Sequence, residues 1–269
     1  MIEVREIDFR YPGEMGDALI DVSLSVAARE VVGIVGPNGS GKSTLARLMK
    51  GLLVPTRGTV LVDGFDTRRA GLDVRRVVGL LFQNPNSQIV NAVIEQEVAF
   101  GPENLGLPPA EIRRRVEGAL RSVGLENREL AECHGLSMAD KQRVALAAVM
   151  AMEPRYLILD EPTAWLEPAA RWALLGEVLG WAKERGAGVV IVTHRMDEAA
   201  LSDRLYGMLH GRIEVEGTPE DILRDVQARA ALSLELPETY TLAGELREAG
   251  LPVVPGTGVG GLAEALCPS

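Results

Sequence analysis

Val31-Val32-Gly33-Ile34-Val35-Gly36-Pro37-Asn38-Gly39-Ser40-Gly41-Lys42-Ser43-Thr44-Leu45-Ala46-Arg47-Leu48-Met49 reads as a β-rich apolar run, a glycine-rich turn and a helix. Glycines at 36, 39 and 41 let the backbone fold tightly and aim successive N–H groups at phosphate oxygens, and the start of the following helix adds partial positive charge. In this pattern Lys42 reaches the β- and γ-phosphates and Ser43 ligates Mg²⁺. Gly36, Pro37, Asn38, Gly39, Ser40, Gly41, Lys42, Ser43 and Thr44 are therefore the expected phosphate loop. The chain is expected to bind a nucleoside triphosphate.

Working outward, alternating stretches precede the loop, Ile2-Glu3-Val4-Arg5-Glu6-Ile7 and Leu19-Ile20-Asp21-Val22-Ser23-Leu24-Ser25-Val26. They read as half-exposed antiparallel strands. After the loop the strands become continuously apolar: Val77-Val78-Gly79-Leu80-Leu81-Phe82, Tyr156-Leu157-Ile158-Leu159 and Val189-Val190-Ile191-Val192. Such runs suit a parallel sheet covered on both faces, with the chemistry at the strand ends. The expected class is α/β, a P-loop NTPase core with an antiparallel β subdomain, a helical insert at about 84–150 and a small C-terminal extension. In the insert, Ile112, Val116, Leu120 and Val123 share one face of a helix over 109–124, which leaves Arg113, Arg114 and Arg115 mainly on its solvated side. Beyond Gly217-Thr218-Pro219 we expect helices over 220–234 and 240–249, a Gly/Pro-rich span 250–261 and a last short helix 262–266.

Composition narrows the class. The 269 residues are 46% hydrophobic and 25% charged, as in a globular chain with a substantial core. A net charge of −10 gives no general attraction to nucleic acid, and no nucleic-acid partner is expected. No apolar run approaches the roughly twenty residues of a membrane span, and MIEVREIDFR lacks a signal-peptide layout, so a cytosolic location is expected. Cys133 and Cys267 form no C-x-x-C pair, which points away from zinc and from a disulfide framework.

Polar residues at the strand ends complete the expected site. Asp160 follows four apolar residues and is placed to hold Mg²⁺, partly through water, while the adjacent Glu161 can polarise an attacking water. Gln83 and His194 each follow another buried strand and should gather at the same sheet edge.

The order Tyr11, phosphate loop, Gln83, Leu136-Ser137, Leu159-Asp160-Glu161-Pro162 and His194 resembles the ATP-binding cassette family over residues 1–216. Phe82-Gln83-Asn84-Pro85-Asn86-Ser87-Gln88 with Glu97-Val98-Ala99-Phe100-Gly101-Pro102-Glu103-Asn104-Leu105-Gly106 is similar to the energy-coupling factor transporter ATPases, which power import of vitamins and of cobalt or nickel. Leu246-Arg247-Glu248-Ala249-Gly250-Leu251-Pro252 resembles their C-terminal dimerisation region, so 217–269 is the expected dimerisation extension. The resemblance implies that Tyr11 stacks on adenine, Glu161 is the general base, Gln83 and His194 sense the γ-phosphate, and Mg²⁺ meets Ser43, Gln83 and Asp160. It also implies ATP as substrate, a second cassette ATPase, an integral membrane coupling protein met through the insert and the segment after Gln83, and a substrate-capture protein. The place implied is the cytoplasmic face of the cell membrane, held peripherally.

The family signature, L-S-G-G-Q-x-Q-R, here reads Leu136-Ser137-Met138-Ala139-Asp140-Lys141-Gln142-Arg143. In the family this segment presses on the ATP of the other subunit. Met138 and Ala139 put side chains where backbone must come close, and Asp140 brings a negative charge; at about 4 Å from phosphate its repulsion is about 1 kcal/mol in water and about 4 at an effective dielectric near 20. Ser137 and Asp140 are also placed to cap a helix over 138–152, the aspartate reaching back in a variant capping box. In Ala164-Trp165-Leu166-Glu167-Pro168, Trp165 either packs at a subunit interface or fills a surface groove. The expected arrangement is an asymmetric heterodimer in which this subunit's own half-site is complete and the one it offers its neighbour is altered. A regulatory ATP-binding subunit with little hydrolysis is the alternative, and a soluble cassette acting on ribosomes or DNA is disfavoured by the acidic charge and the 83–106 segment.

Overall fold

The computed structural model describes residues 1–251 and 253. The chain runs β1 (Ile2–Phe9), β2 (Leu19–Val26), β3 (Val31–Val35), α1 (Lys42–Met49), β4 (Arg57–Val62), β5 (Phe65–Asp66), α2 (Gly71–Val77), β6 (Val78–Leu81), α3 (Ile94–Asn104), α4 (Pro109–Ser122), α5 (Met138–Ala151), β7 (Tyr156–Asp160), α6 (Pro168–Arg185), β8 (Gly188–Val192), α7 (Met196–Ala199), β9 (Arg204–Leu209), β10 (Arg212–Gly217), α8 (Pro219–Arg224), α9 (Val226–Leu232) and α10 (Glu238–Glu248). The expected α/β class is observed.

A six-stranded sheet in the order β10-β9-β3-β8-β7-β6 forms the centre, parallel except for the β9–β10 hairpin. Its apolar runs are continuous because both faces are covered and successive side chains point to opposite sides. Leu157, Leu159, Val189 and Ile191 enter a core shared with α3, α4, α5 and α6. Their neighbours Tyr156, Ile158, Val190 and Val192 enter a second core with α1 and the antiparallel sheet β2-β1-β4-β5. In β1 the pairing register shifts between Val4 and Ile7, with Glu6 at φ +48°. That bulge keeps Ile2, Val4, Ile7 and Phe9 all buried although the spacing changes parity.

Two local expectations need correction. Arg115 is not on the solvated face of α4: its guanidinium donates to Glu111 Oε1 at 2.7 Å and to the Met152 carbonyl at 3.2 Å, and it lies 3.1 Å from Glu153. The network pulls it inward, while Arg113 and Arg114 stay exposed. The helix expected over 220–234 is two helices, because Asp225 takes an extended conformation (φ −75°, ψ 102°) and its carboxylate accepts from the N–H groups of Gln227 and Ala228. Thr218 and Asp221 form a full capping box at the start of α8. The helix expected over 240–249 is present as α10, whereas the helix expected over 262–266, most of the span 250–261, and Cys267 lie outside the described residues.

The start of the tail shares a core with the central sheet. Ile222, Leu223, Leu232 and Leu234 pack with Val35, Leu205, Met196 and Ala199. Among the described residues no helix is long and apolar enough to cross a membrane.

Candidate functional site

The parallel strands β3, β6, β7 and β8 end at one edge, and the side chains that follow them meet there. A cleft of about 470 Å³ is lined by Tyr11, Asn38, Gly39, Ser40, Gly41, Lys42, Ser43, Thr44, Gln83, Asp160 and Glu161, among others. Most of the residues expected from sequence thus surround one space. The turn that makes it depends on glycine at two places. Gly36, at φ +146°, leaves no room for a Cβ against the Met208 carbonyl, and Gly41, at φ +102°, would set one 2.6 Å from Leu19 Cδ2.

Lys42 is buried and folded back onto its own loop, where Nζ donates to the Gly36 carbonyl at 2.7 Å and the Pro37 carbonyl at 2.9 Å. Burial pushes its pKa below the ordinary lysine value, against the pull of Glu161 and Asp160. Asp160, at the end of β7, is shifted upward: burial is the main cause and the Glu161 charge adds to it, while a hydrogen bond from Ser43 opposes it. Its Oδ1 is buried without a hydrogen-bond partner. Among the described residues no three His, Cys, Asp or Glu side chains cluster to hold a metal. One carboxylate oxygen without a partner, beside a serine hydroxyl and a glutamine amide, fits a Mg²⁺ carried largely by substrate phosphates and water rather than by a protein cage.

Glu161 sits in the left-handed region at φ +50°, and its N–H donates to the Val192 carbonyl at 2.8 Å. This turn swings its carboxylate to within 2.8 Å of His194 Nδ1. His194 therefore joins the site through Glu161. Tyr11 stands at the mouth, its hydroxyl 3.1 Å from Thr44 Oγ1 and its ring edge-on to Phe9 at 4.9 Å between centroids.

Ser137, Met138, Ala139 and Asp140 do not line this cleft. Ser137 caps α5 as expected, accepting from the Asp140 N–H at 3.1 Å. The capping-box expectation for the Asp140 carboxylate is replaced by an ion pair, Arg128 Nη1 donating to Oδ2 at 3.0 Å. Lys141 donates to Asn86 Oδ1 at 3.0 Å, tying the segment to the loop after Gln83. Trp165 is 46% exposed, and its indole N–H donates to the Gln83 carbonyl at 3.2 Å, so it links two loops of the site.

Sequence reasoning missed several polar groups, buried or half-buried, that hold these loops. Gln88 accepts from the Phe82 N–H and donates to the Leu80 carbonyl, fixing the end of β6. Glu97 accepts from the N–H groups of Val90 and Asn91. Gln142 donates to the Pro162 carbonyl at 3.2 Å, joining α5 to the turn after Glu161. Glu198, buried on α7, joins Thr163 and Thr193. In sequence it stands among other charges, Arg195-Met196-Asp197-Glu198, and no local pattern distinguishes it from the half-exposed Asp197.

The family described as ABC transporter matches residues 19–164. The energy-coupling factor transporter ATP-binding protein EcfA1 of Symbiobacterium thermophilum is 49% identical over 254 residues, 93% of this chain and 88% of that protein. The cobalt import ATP-binding protein CbiO of Syntrophus aciditrophicus is 44% identical, covering 94% of this chain and 91% of the relative. Among solved structures, cbiO1 from Clostridium perfringens, part of the ABC transporter complex cbiONQ, superposes with a TM-score of 0.76 at 35% identity, over 92% of this chain and 98% of that one. A dimeric ATP-binding cassette in a post-hydrolysis state with ADP and Pi gives 0.75 at 28% identity, over 81% and 99%.

Proposed function

The chain belongs to the ABC transporter family, in its energy-coupling factor branch, and from that premise we propose that it is the Mg²⁺-dependent, ATP-hydrolysing subunit of an importer for a vitamin or a transition-metal ion. The observation that carries the proposal is the convergence of Lys42, Ser43, Gln83, Asp160 and Glu161 on one cleft, with His194 bonded to Glu161.

In this reading the N–H groups of the 36–44 loop and the start of α1 bind the phosphates. Lys42 leaves the Gly36 and Pro37 carbonyls to meet them. Because burial already disfavours its charge, it gains from an anionic partner. Ser43, Gln83 and Asp160 would hold Mg²⁺, which when bound neutralises phosphate charge. Glu161 accepts the proton of the attacking water, and His194 orients its carboxylate. Tyr11 offers its ring to the adenine. Residues 1–216 form the cassette and 217–269 a dimerisation extension. The protein sits peripherally on the cytoplasmic face of the membrane, against an integral membrane coupling protein that works with a substrate-capture protein.

The partner we infer is a different cassette ATPase, because the 137–140 segment offers Met138, Ala139 and Asp140 to a neighbour's nucleotide. A regulatory subunit with little hydrolysis is the second reading, favoured by the same segment. Hydrolysis is measured for the chain alone and mixed with its partner cassette. Glu161→Gln should lower turnover of the mixture by roughly 10²–10⁴-fold, and the equivalent change in the partner should be mild. Equal losses count against the asymmetric heterodimer, and no hydrolysis in either setting favours the regulatory reading.

A further inference from the structure

Glu198 is fully buried, yet none of its oxygens faces the nucleotide cleft. One carboxylate oxygen meets the Thr163 hydroxyl and the other accepts from the Thr193 hydroxyl at 3.0 Å. Thr163 lies two residues after Glu161, and Thr193 lies immediately before His194. Both threonines are themselves buried, at 1% and 0% exposure. The Thr193 oxygen also accepts from the Arg195 N–H at 3.0 Å, so its proton is directed at Glu198. Arg195 Nε at 3.3 Å and Arg171 Nε at 3.8 Å supply positive charge, which both arginines share with Asp197.

We propose that Glu198 is a positioning residue for ATP hydrolysis: its two oxygens hold Thr163 and Thr193 together and thereby set the approach of Glu161 to His194. The inference rests on the reading of Glu161 as the base. Three features support it. Burying a carboxylate is costly, and a packed apolar side chain serves stability as well or better, so the charge needs another reason. Its two oxygens, one to each threonine, take both hydroxyl protons at once. The turn at Glu161 is strained at φ +50° and needs an outside restraint. Thr163 provides that restraint on one loop, and Thr193 fixes the other beside the 2.8 Å Glu161–His194 bond.

The test uses the full chain together with its partner cassette, with Glu198→Gln, and with Thr163→Val and Thr193→Val, which each remove one hydroxyl at nearly constant volume, the latter also the acceptor of the Arg195 N–H, and carry the test if the glutamine variant does not fold. Two readouts are taken: steady-state ATP hydrolysis, and the imidazole NMR signals of the three histidines, His134, His194 and His210. The expected result is a kcat lower by about 10- to 100-fold with KM for ATP unchanged. The His194 signals should move in the direction they move in Glu161→Gln, while those of His134 and His210 stay in place. A folded Glu198→Gln protein with unchanged kcat, with kcat and KM altered together, or with unmoved His194 signals overturns the inference. Hydrolysis that is indifferent to Glu161→Gln overturns the reading of Glu161 and the inference with it; dependence on Glu161 but not on Glu198 overturns the inference alone.

Discussion

Asp140 carries a negative charge in the signature segment, and Arg128 meets that charge at 3.0 Å. The pair changes what the altered signature offers a neighbouring nucleotide: a carboxylate already neutralised rather than one free to repel phosphate. With the segment facing a neighbour's ATP as proposed, Arg128→Ala should weaken ATP-driven assembly of the Glu161→Gln protein with its partner cassette by about 1 kcal/mol, the scale of a solvated charge pair near 4 Å. Adding Asp140→Asn should restore it, and sedimentation with and without ATP reads the change; no restoration assigns Arg128 a different role. The phosphate loop invites a sharper contrast. Gly41→Ala forces a Cβ into Leu19 and the Ala18 carbonyl, so it should lower both thermal stability and nucleotide affinity. Gly39, at φ +80°, has open space around the corresponding position. Its alanine variant should cost only the left-handed penalty of about 1–2 kcal/mol while still losing nucleotide affinity, because Gly39 lines the cleft. Calorimetric unfolding and nucleotide titration separate the two.

At the scale of elements, the phosphate-loop helix is tied by one side chain to the strand that Gln83 follows. Lys50, just after α1, donates through Nζ to the carbonyls of Arg75 and Val78, closing the end of α2 onto β6. Burial, with Arg75 adding repulsion, lowers its pKa to about 8. An unfolded lysine titrates near 10.5, so between pH 8 and 10.5 the unfolded chain binds more protons than the folded one, and stability rises with pH across that window. Urea unfolding of the wild type, compared with Lys50→Met, should show the wild type gaining ground from pH 8 to 10. A difference independent of pH would contradict the shift. The same scale explains two misread elements. Periodicity over 220–234 is helical on both sides of Asp225, but a side chain that caps a new helix interrupts it, and hydrophobic spacing does not register caps of that kind. Arg115 looked solvated because its own helix face is polar; the partner that turns it inward, Glu153, comes from the segment after α5.

Across the whole molecule the tail is fastened to the nucleotide-binding sheet. Leu232 is fully buried, and Gly207 of β9 lacks the side chain that would collide with it. Leu232→Ala should destabilise by about 2–5 kcal/mol and shift the main unfolding transition seen by calorimetry. A main transition that stays put, with proteolysis confined to the tail, would mean that the tail folds apart from the sheet. The phosphate loop, the continuous apolar strands and the polar residues ending them were legible in sequence because each is a local pattern: a backbone that needs glycine, a period set by burial on both faces, a polar side chain at a strand end. Lys42, Ser43, Gln83, Asp160 and Glu161 could therefore be named before any fold was seen, and strand order brought them to one cleft. The Arg128–Asp140 pair, the Trp165 bond to Gln83 and the Glu198 bridge were not legible, although every residue in them stands in plain view. Their partners lie 12, 82 and 35 residues apart in the chain, and a charge or hydrogen bond across such distances exists only once packing has brought the two segments together and removed the water between them.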